Sequence, residues 1–251
     1  MSLLECVLVL ASGVFAGAIN TVVGSGTLVT FPVLLAVGYG PVVANVSNTL
    51  GLVPGSVSGA IGYRRELAGQ RRRVLVLATA SLLGGIAGAV LLLSLPSSAF
   101  EAIVPVLIAI AVVLVVAQPR LTVALAARRA TVRPHGGPLL WGGVFGTGIY
   151  GGYFGAAQGV ILLALLGITI PDEHLQRLNA LKNVLAALVN GVAAVVFLFF
   201  ASIAWLPALL LAVGSAAGGQ LGATIGRRLS PAVLRAVIVA VGLAAIAQLL
   251  T

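Results

Sequence analysis

The chain has 251 residues, 60% of them hydrophobic and 8% charged, with five acids against fourteen bases and a net charge of +9. A soluble domain carries about a quarter charged residues, so a water-facing globule is excluded. The positive charge does not indicate nucleic acid either: the arginines cluster between apolar runs of membrane-crossing length, the pattern of cytoplasmic loops under the positive-inside rule.

In chain order, apolar runs predict helices near residues 3–22, 27–38, 42–62, 74–95 and 101–117. The first is too long, and too weakly basic at its start, to read as a cleaved signal peptide. Arg64, Arg65, Arg71, Arg72 and Arg73 separate the third run from the fourth. A polar stretch over 118–137, with Arg120, Arg128, Arg129 and Arg133, reads as a cytoplasmic linker between a first membrane repeat (1–117) and a second (138–251). The second repeat holds runs near 138–150, 159–170, 174–199, 205–225 and 232–250, with Arg227 and Arg228 before the last. The runs 27–38 and 159–170 are too short to span alone. Each follows a glycine-rich break, Gly24-Ser25-Gly26 in one case and Gly151-Gly152 with Gly155 in the other. The expected fold class is therefore an all-α polytopic membrane protein with broken or re-entrant helices, whose freed backbone groups must meet protein or water.

The two halves match each other. Gly13-Val14-Phe15 repeats as Gly143-Val144-Phe145, and then one constant offset carries Asn45 onto Asn179, Thr49 onto Asn183, Ser56 onto Asn190 and Ser81 onto Ser215. The string Gly84, Gly85, Gly88, Ala89 recurs as Gly218, Gly219, Gly222, Ala223 and reads as helix packing. The register changes at an insertion, Pro171-Asp172-Glu173-His174. The basic loop 64–73 maps to the uncharged 198–207, and the turn 94–101, neutral but for Glu101 at its end, maps to 228–235 with Arg228 and Arg235. Each basic end in one half is neutral in the other, so two inverted-topology repeats are expected, with loops 64–73, 118–137 and 226–231 in the cytoplasm and the N-terminus outside. Inverted repeats place a solute site at their interface near the midplane.

Asn179, Lys182, Asn183 and Asn190 share one face of a helix. From a start near Pro171-Asp172, Lys182 lies about 15 Å into the membrane. The repeat mate carries Asn45, Asn48, Thr49 and Ser56 on the matching face. Asparagines alone fit hydrogen bonding between helices equally well. Lys182 has no acid at comparable depth in its segment, and a buried ionisable residue reads by default as functional, here an anion site; the competing reading is a lysine that snorkels or bonds backbone carbonyls. Helices restarting after Gly26 and Gly155 aim free N–H groups and positive dipole ends at the same centre, with Asn20, Thr21, Ser25 and Gln158 beside them as donors.

The remaining chemistry-bearing residues are bland. Cys6 is the single cysteine, so no disulfide framework and no cysteine metal site is expected. His135 and His174 are loop residues without metal spacing, and no metal or cofactor is expected. Glu5, Glu101, Asp172 and Glu173 fall near segment ends, Arg177 near the headgroups, and Tyr39, Tyr63, Trp141 and Trp205 fit aromatic belts. There is no GxxxxGK[ST] string for a nucleotide-driven pump. The partners expected are a small anion and the lipid bilayer, with a homodimer allowed for and nucleic acid excluded. A passive channel, or an intramembrane lipid-processing enzyme, remain as alternatives to a carrier; the enzyme needs a base or nucleophile with a positioned partner at membrane depth.

The stretch YGGYFGAAQGVILLALLGI, followed by LQRLNALKNVLAALVNGVAAVVF, resembles the second-half signature of the TauE/SafE sulfite exporter family. GSGTLVTFPVLLAVG and ANVSNTLGLVPGSVSGAIGYRREL resemble its first half, with a shorter glycine cluster at Gly24-Ser25-Gly26. The resemblance covers essentially the whole chain. It implies a permease of the bacterial plasma membrane for sulfite, sulfonates or related organosulfur anions, usually an exporter, with the family's Lys and Asn positions falling on Lys182, Asn179 and Asn183. It implies no enzyme activity.

Overall fold

The structure is a computed structural model that describes residues 1–126, 137–170, 173–225 and 231–250. The expectations placed on Arg128, Arg129, Arg133, His135, Pro171, Asp172, Arg227 and Arg228 lie outside those residues. Among the described residues the chain is all-helical: α1 (Leu3–Val22), α2 (Thr27–Ala36), α3 (Pro41–Gly62), α4 (Arg71–Ser94), α5 (Ser97–Ala126), α6 (Gly137–Tyr153), α7 (Gln158–Thr169), α8 (Leu175–Phe200), α9 (Trp205–Thr224) and α10 (Pro231–Leu250). Each corresponds to one of the runs predicted above. The largest difference is at α5, which continues as helix to Ala126, into the stretch expected to be linker.

Local chemistry sets the ends. Ser2 and Glu5 form a reciprocal capping box that starts α1. Pro41 occupies the first turn of α3, where its missing N–H has no intrahelical partner to lose. The breaks after α1 and α6 close in the same way. Gly24 (φ +92°) donates its N–H to Ile19 O, and Gly155 (φ +74°) donates to Tyr150 O. A positive φ at that point strains any residue with a Cβ, which is why glycine ends both helices.

Among the described residues five helices are long and apolar enough to cross a membrane: α1, α4, the Ser97–Arg120 part of α5, α8 and α9. α3 has 22 residues but buries Asn45, Ser47, Asn48, Thr49 and Ser56, so its polarity keeps it out of that group. Large apolar side chains such as Leu83, Val90, Leu209 and Val213 point outward, as a lipid-facing surface requires.

The two sequence halves interdigitate. α9 packs on α1 and α3, while α4 packs on α6 and α8. The other main contacts pair off between the halves: within each half, α1 with α2 and α3 corresponds to α6 with α7 and α8; across them, α2 with α10 corresponds to α7 with α5, α3 meets α8, and α5 meets α10. α3 and α8 run antiparallel. Tyr63 at the end of α3 clusters with Ala180 near the start of α8, Ser56 meets Asn190, and Ser47 Oγ accepts from Ala204 N beyond the end of α8. Near the second break, Phe154 makes edge-to-face contacts with Phe31 and Phe100.

Candidate functional site

The site is built from two broken helices and the polar faces of α3 and α8. An α-helix ends with four carbonyls that have no intrahelical partner. In α1, Ile19 O is taken by Val23 N and Gly24 N. Asn20 O and Thr21 O are met by α8 instead. Lys182 Nζ donates to both at 3.1 Å, and Asn179 Nδ2 and Asn183 Nδ2 donate to Thr21 O at 3.2 and 3.3 Å. The shared helix face of these three residues is what allows them to converge on one helix end. Lys182 is fully buried. Its positive head thus lies against the negative end of the α1 dipole, so carbonyl bonding, the competing reading of this lysine, accounts for two of its three donors.

The counterpart at α6 uses shorter side chains. Tyr150 O accepts from Phe154 N and Gly155 N, and Asn45 Nδ2 donates to Tyr153 O at 2.9 Å. Asn48 occupies the position that matches Lys182 and turns to α2, donating to Thr27 Oγ1 at 3.2 Å and accepting from Thr30 Oγ1. Thr49 Oγ1 donates to Asn45 O at 2.9 Å.

The two breaks touch. Gly159 N donates to Gly24 O at 3.1 Å, and a Cβ on either glycine would stand 2.4 Å from the other's Cα. The N-termini of α2 and α7 therefore lie side by side. Ser25 and Gln158 flank this contact, and both are buried. Among the described residues Ser25 Oγ and Gln158 Nε2 have no hydrogen-bond partner, nor have Asn45 Oδ1 and Asn179 Oδ1. Buried polar atoms are satisfied in the great majority of cases, so four orphans among the candidate residues are exceptional. Asn20 Nδ2 and Asn190 Nδ2 both donate to Ser56 Oγ, at 3.2 and 3.3 Å, where α3 crosses α8. Of the ten candidate residues, Lys182, Asn179, Asn183 and Asn20 gather at the end of α1 and Asn45 at the end of α6. Ser25 and Gln158 stand between them, Asn48 and Thr49 are engaged locally, and Asn190 joins the helix crossing.

A second polar cluster lies at one end of the bundle. Arg73 NH1 donates to Glu173 Oε2 at 2.9 Å and to Gln70 Oε1 at 2.9 Å; Arg177 Nε donates to Glu173 Oε1; Gln70 Nε2 donates to Arg177 O at 3.2 Å. Burial alone would raise the Glu173 carboxyl, but hydrogen bonds and attraction from Arg73 and Arg177 outweigh it and hold the group below the ordinary glutamate value. Sequence alone puts Glu173 and Arg177 at the interface without a partnership. Glu173 precedes the N-cap His174 of α8 and Arg177 lies in its first turn, four residues on, the only proximity the sequence offers; the third member, Arg73, comes from a distant part of the chain. Tyr63 also departs from expectation: at 1% exposure it is packed under α8 and α9, not in an aromatic belt.

The family described as "Sulfite exporter TauE/SafE" matches residues 9–249. The chain is 30% identical over 249 residues to "Probable membrane transporter protein ORF9" of a Sinorhizobium species, covering 94% of this chain and 88% of that one. It is 28% identical over 236 residues to "Probable membrane transporter protein YfcA" of Escherichia coli, covering 94% and 86%. A third relative, "Probable membrane transporter protein" of Haemophilus influenzae, is 26% identical over 242 residues, covering 95% and 90%. No solved structure matches. Matched along nearly its whole length, and carrying several helices apolar enough to span a bilayer, the chain belongs to the TauE/SafE family and is a multi-pass membrane transporter of the bacterial plasma-membrane type.

Proposed function

We propose that the protein is a permease for small sulfur-containing anions such as sulfite or sulfonates, exporting them by alternating access between two inverted repeats, 1–117 and 138–251, joined by the cytoplasmic linker 118–137. The observation that carries this is the meeting of two half-helix N-termini at Gly24 and Gly159, flanked by buried donors on Ser25 and Gln158 that have no partner. Positive dipole ends at one point favour an anion; the first-turn N–H groups of α7 are already bonded, Gln158 N to Gly155 O, Gly159 N to Gly24 O, and Val160 N and Ile161 N to Ala157 O, so the donors offered there are those of the side chains. Lys182 stands at the Asn20 and Thr21 carbonyls just before the first break, and its ammonium carries one donor beyond the two engaged there. The reversed loop charges, the matching helix contacts and the antiparallel run of α3 and α8 support the inversion. The choice of sulfur anions follows the family's description, and nothing in the site serves as a catalytic base with a positioned partner. A dimer is the assembly we allow for.

The test is flux into liposomes of sulfite, sulfate, thiosulfate and small sulfonates, with and without a pH gradient. Wild-type protein is expected to carry at least one of them. A hydrogen bond to a charged group contributes about 1.5–3 kcal/mol, so Gln158→Ala should weaken apparent affinity by about 10- to 100-fold. Lys182→Ala should abolish flux while protein remains in the membrane. Unchanged flux of every anion in Lys182→Ala removes the role given to that residue, and flux insensitive to any gradient at rates beyond a carrier moves the assignment to a channel.

A further inference from the structure

The two broken helices end alike, yet only one end carries a built-in cation. At α1, the carbonyls of Asn20 and Thr21 face the Lys182 ammonium, with Asn179 donating to the same helix end and keeping its Oδ1 unpartnered. At α6 the glycine turn repeats, but the asparagine bonds one carbonyl later, at Tyr153 O, the counterpart of Val22 O. Tyr150 O closes the glycine turn as Ile19 O does, so Gly151 and Gly152 hold the carbonyl positions of Asn20 and Thr21. Asn45, the repeat mate of Asn179, donates to Tyr153 O and likewise keeps a buried Oδ1 without a partner. The mate of Lys182 is the neutral Asn48, drawn off to Thr27 and Thr30 on α2. The α6 end therefore presents backbone carbonyls and a desolvated amide oxygen at the negative pole of a helix, with no tethered positive charge.

We infer that the C-terminal end of α6 is a binding site for a desolvated monovalent cation, with Na⁺ as the fitting ion, occupying the place that the Lys182 ammonium fills at α1. Neutral oxygen donors suit a monovalent ion, whereas divalent sites are built around carboxylates. Helix C-termini and unwound carbonyls hold coupling ions at repeat interfaces in other carriers. Within the permease reading, on which this role rests, the site gives the anion a co-migrating or counter-moving cation. The cation site itself is testable without any anion.

The experiment is thermal unfolding of the purified protein in detergent, titrated with NaCl against choline chloride at constant ionic strength and with no sulfur anion present. An ion that binds only the folded state raises the melting temperature with its concentration. The expected result is a saturable rise in Na⁺ that choline does not give. Asn48→Lys, which supplies a tethered ammonium, is expected to abolish the Na⁺ response while melting in choline no lower than wild type. Identical wild-type curves in the two salts overturn the proposal, as does an undiminished Na⁺ response in Asn48→Lys. Should that variant not fold, Asn45→Asp replaces it. A carboxylate among the ligands is expected to lower the Na⁺ midpoint by about 10-fold or more, and an unmoved midpoint overturns the assignment. Failure of the anion screen alongside a Na⁺-specific shift would fault the solute and leave the cation site standing.

Discussion

Glu173 places one carboxylate between two guanidinium groups, with its side chain 18% exposed. Arg73 lies in the first turn of α4 and Arg177 in the first turn of α8, so the carboxylate ties two helices from opposite halves of the chain. Its folded value lies below the unfolded one, which is about 4.3 for glutamate. The stabilisation is therefore complete above the unfolded value and is lost as pH falls through the folded one. Melting curves between about pH 7 and pH 3 should show Glu173→Gln less stable than wild type at the upper end and the two converging at the lower. A constant gap across that range would mean that the ion pairs contribute nothing. Lys182 illustrates the opposite residue-scale problem: among the described residues no carboxylate pairs with it, and its burial is balanced by carbonyl oxygens that a helix end leaves without partners.

Glycine spacing decides how closely the helices approach. α1 lies so near α9 that a Cβ at Gly218 would stand 2.0 Å from Val14 O, and a Cβ at Gly88 on α4 would stand 2.1 Å from Ile149 O on α6. The duplicated glycine strings thus serve two equivalent crossings, each between helices of different halves. Gly218→Ala should force α1 and α9 apart and cost about 1–3 kcal/mol, read as a lowered melting temperature. Gly191→Ala is the control. Nothing lies within 4 Å of its added methyl group, and replacing a mid-helix glycine by alanine should leave stability equal or slightly higher. Equal losses in both variants would contradict the close-packing role.

At the scale of the whole molecule, the proposed inversion predicts which loops face which compartment. Ala68 lies in the basic loop after α3, and Ser202 lies at the matching position after α8; both are exposed. In a Cys6→Ala background, Ala68→Cys should react with an impermeant maleimide only in inside-out vesicles, and Ser202→Cys only in right-side-out vesicles. Labelling of both from one side would refute the inverted arrangement. Hydropathy and the repeated polar positions were legible in the chain itself because they are one-dimensional patterns: run length placed ten helices, glycine breaks placed two half-helices, and helical spacing grouped Asn179, Lys182 and Asn183 on one face. What those side chains meet was not legible. Lys182 turned to the end of α1, Arg73 to Glu173 and Tyr63 to α8 and α9, each across a long stretch of chain, while Asn48 turned to α2 in its own half. Spacing along a helix fixes which residues share a face, but only the packing of helices from both halves determines which helix end, carbonyl or carboxylate that face confronts.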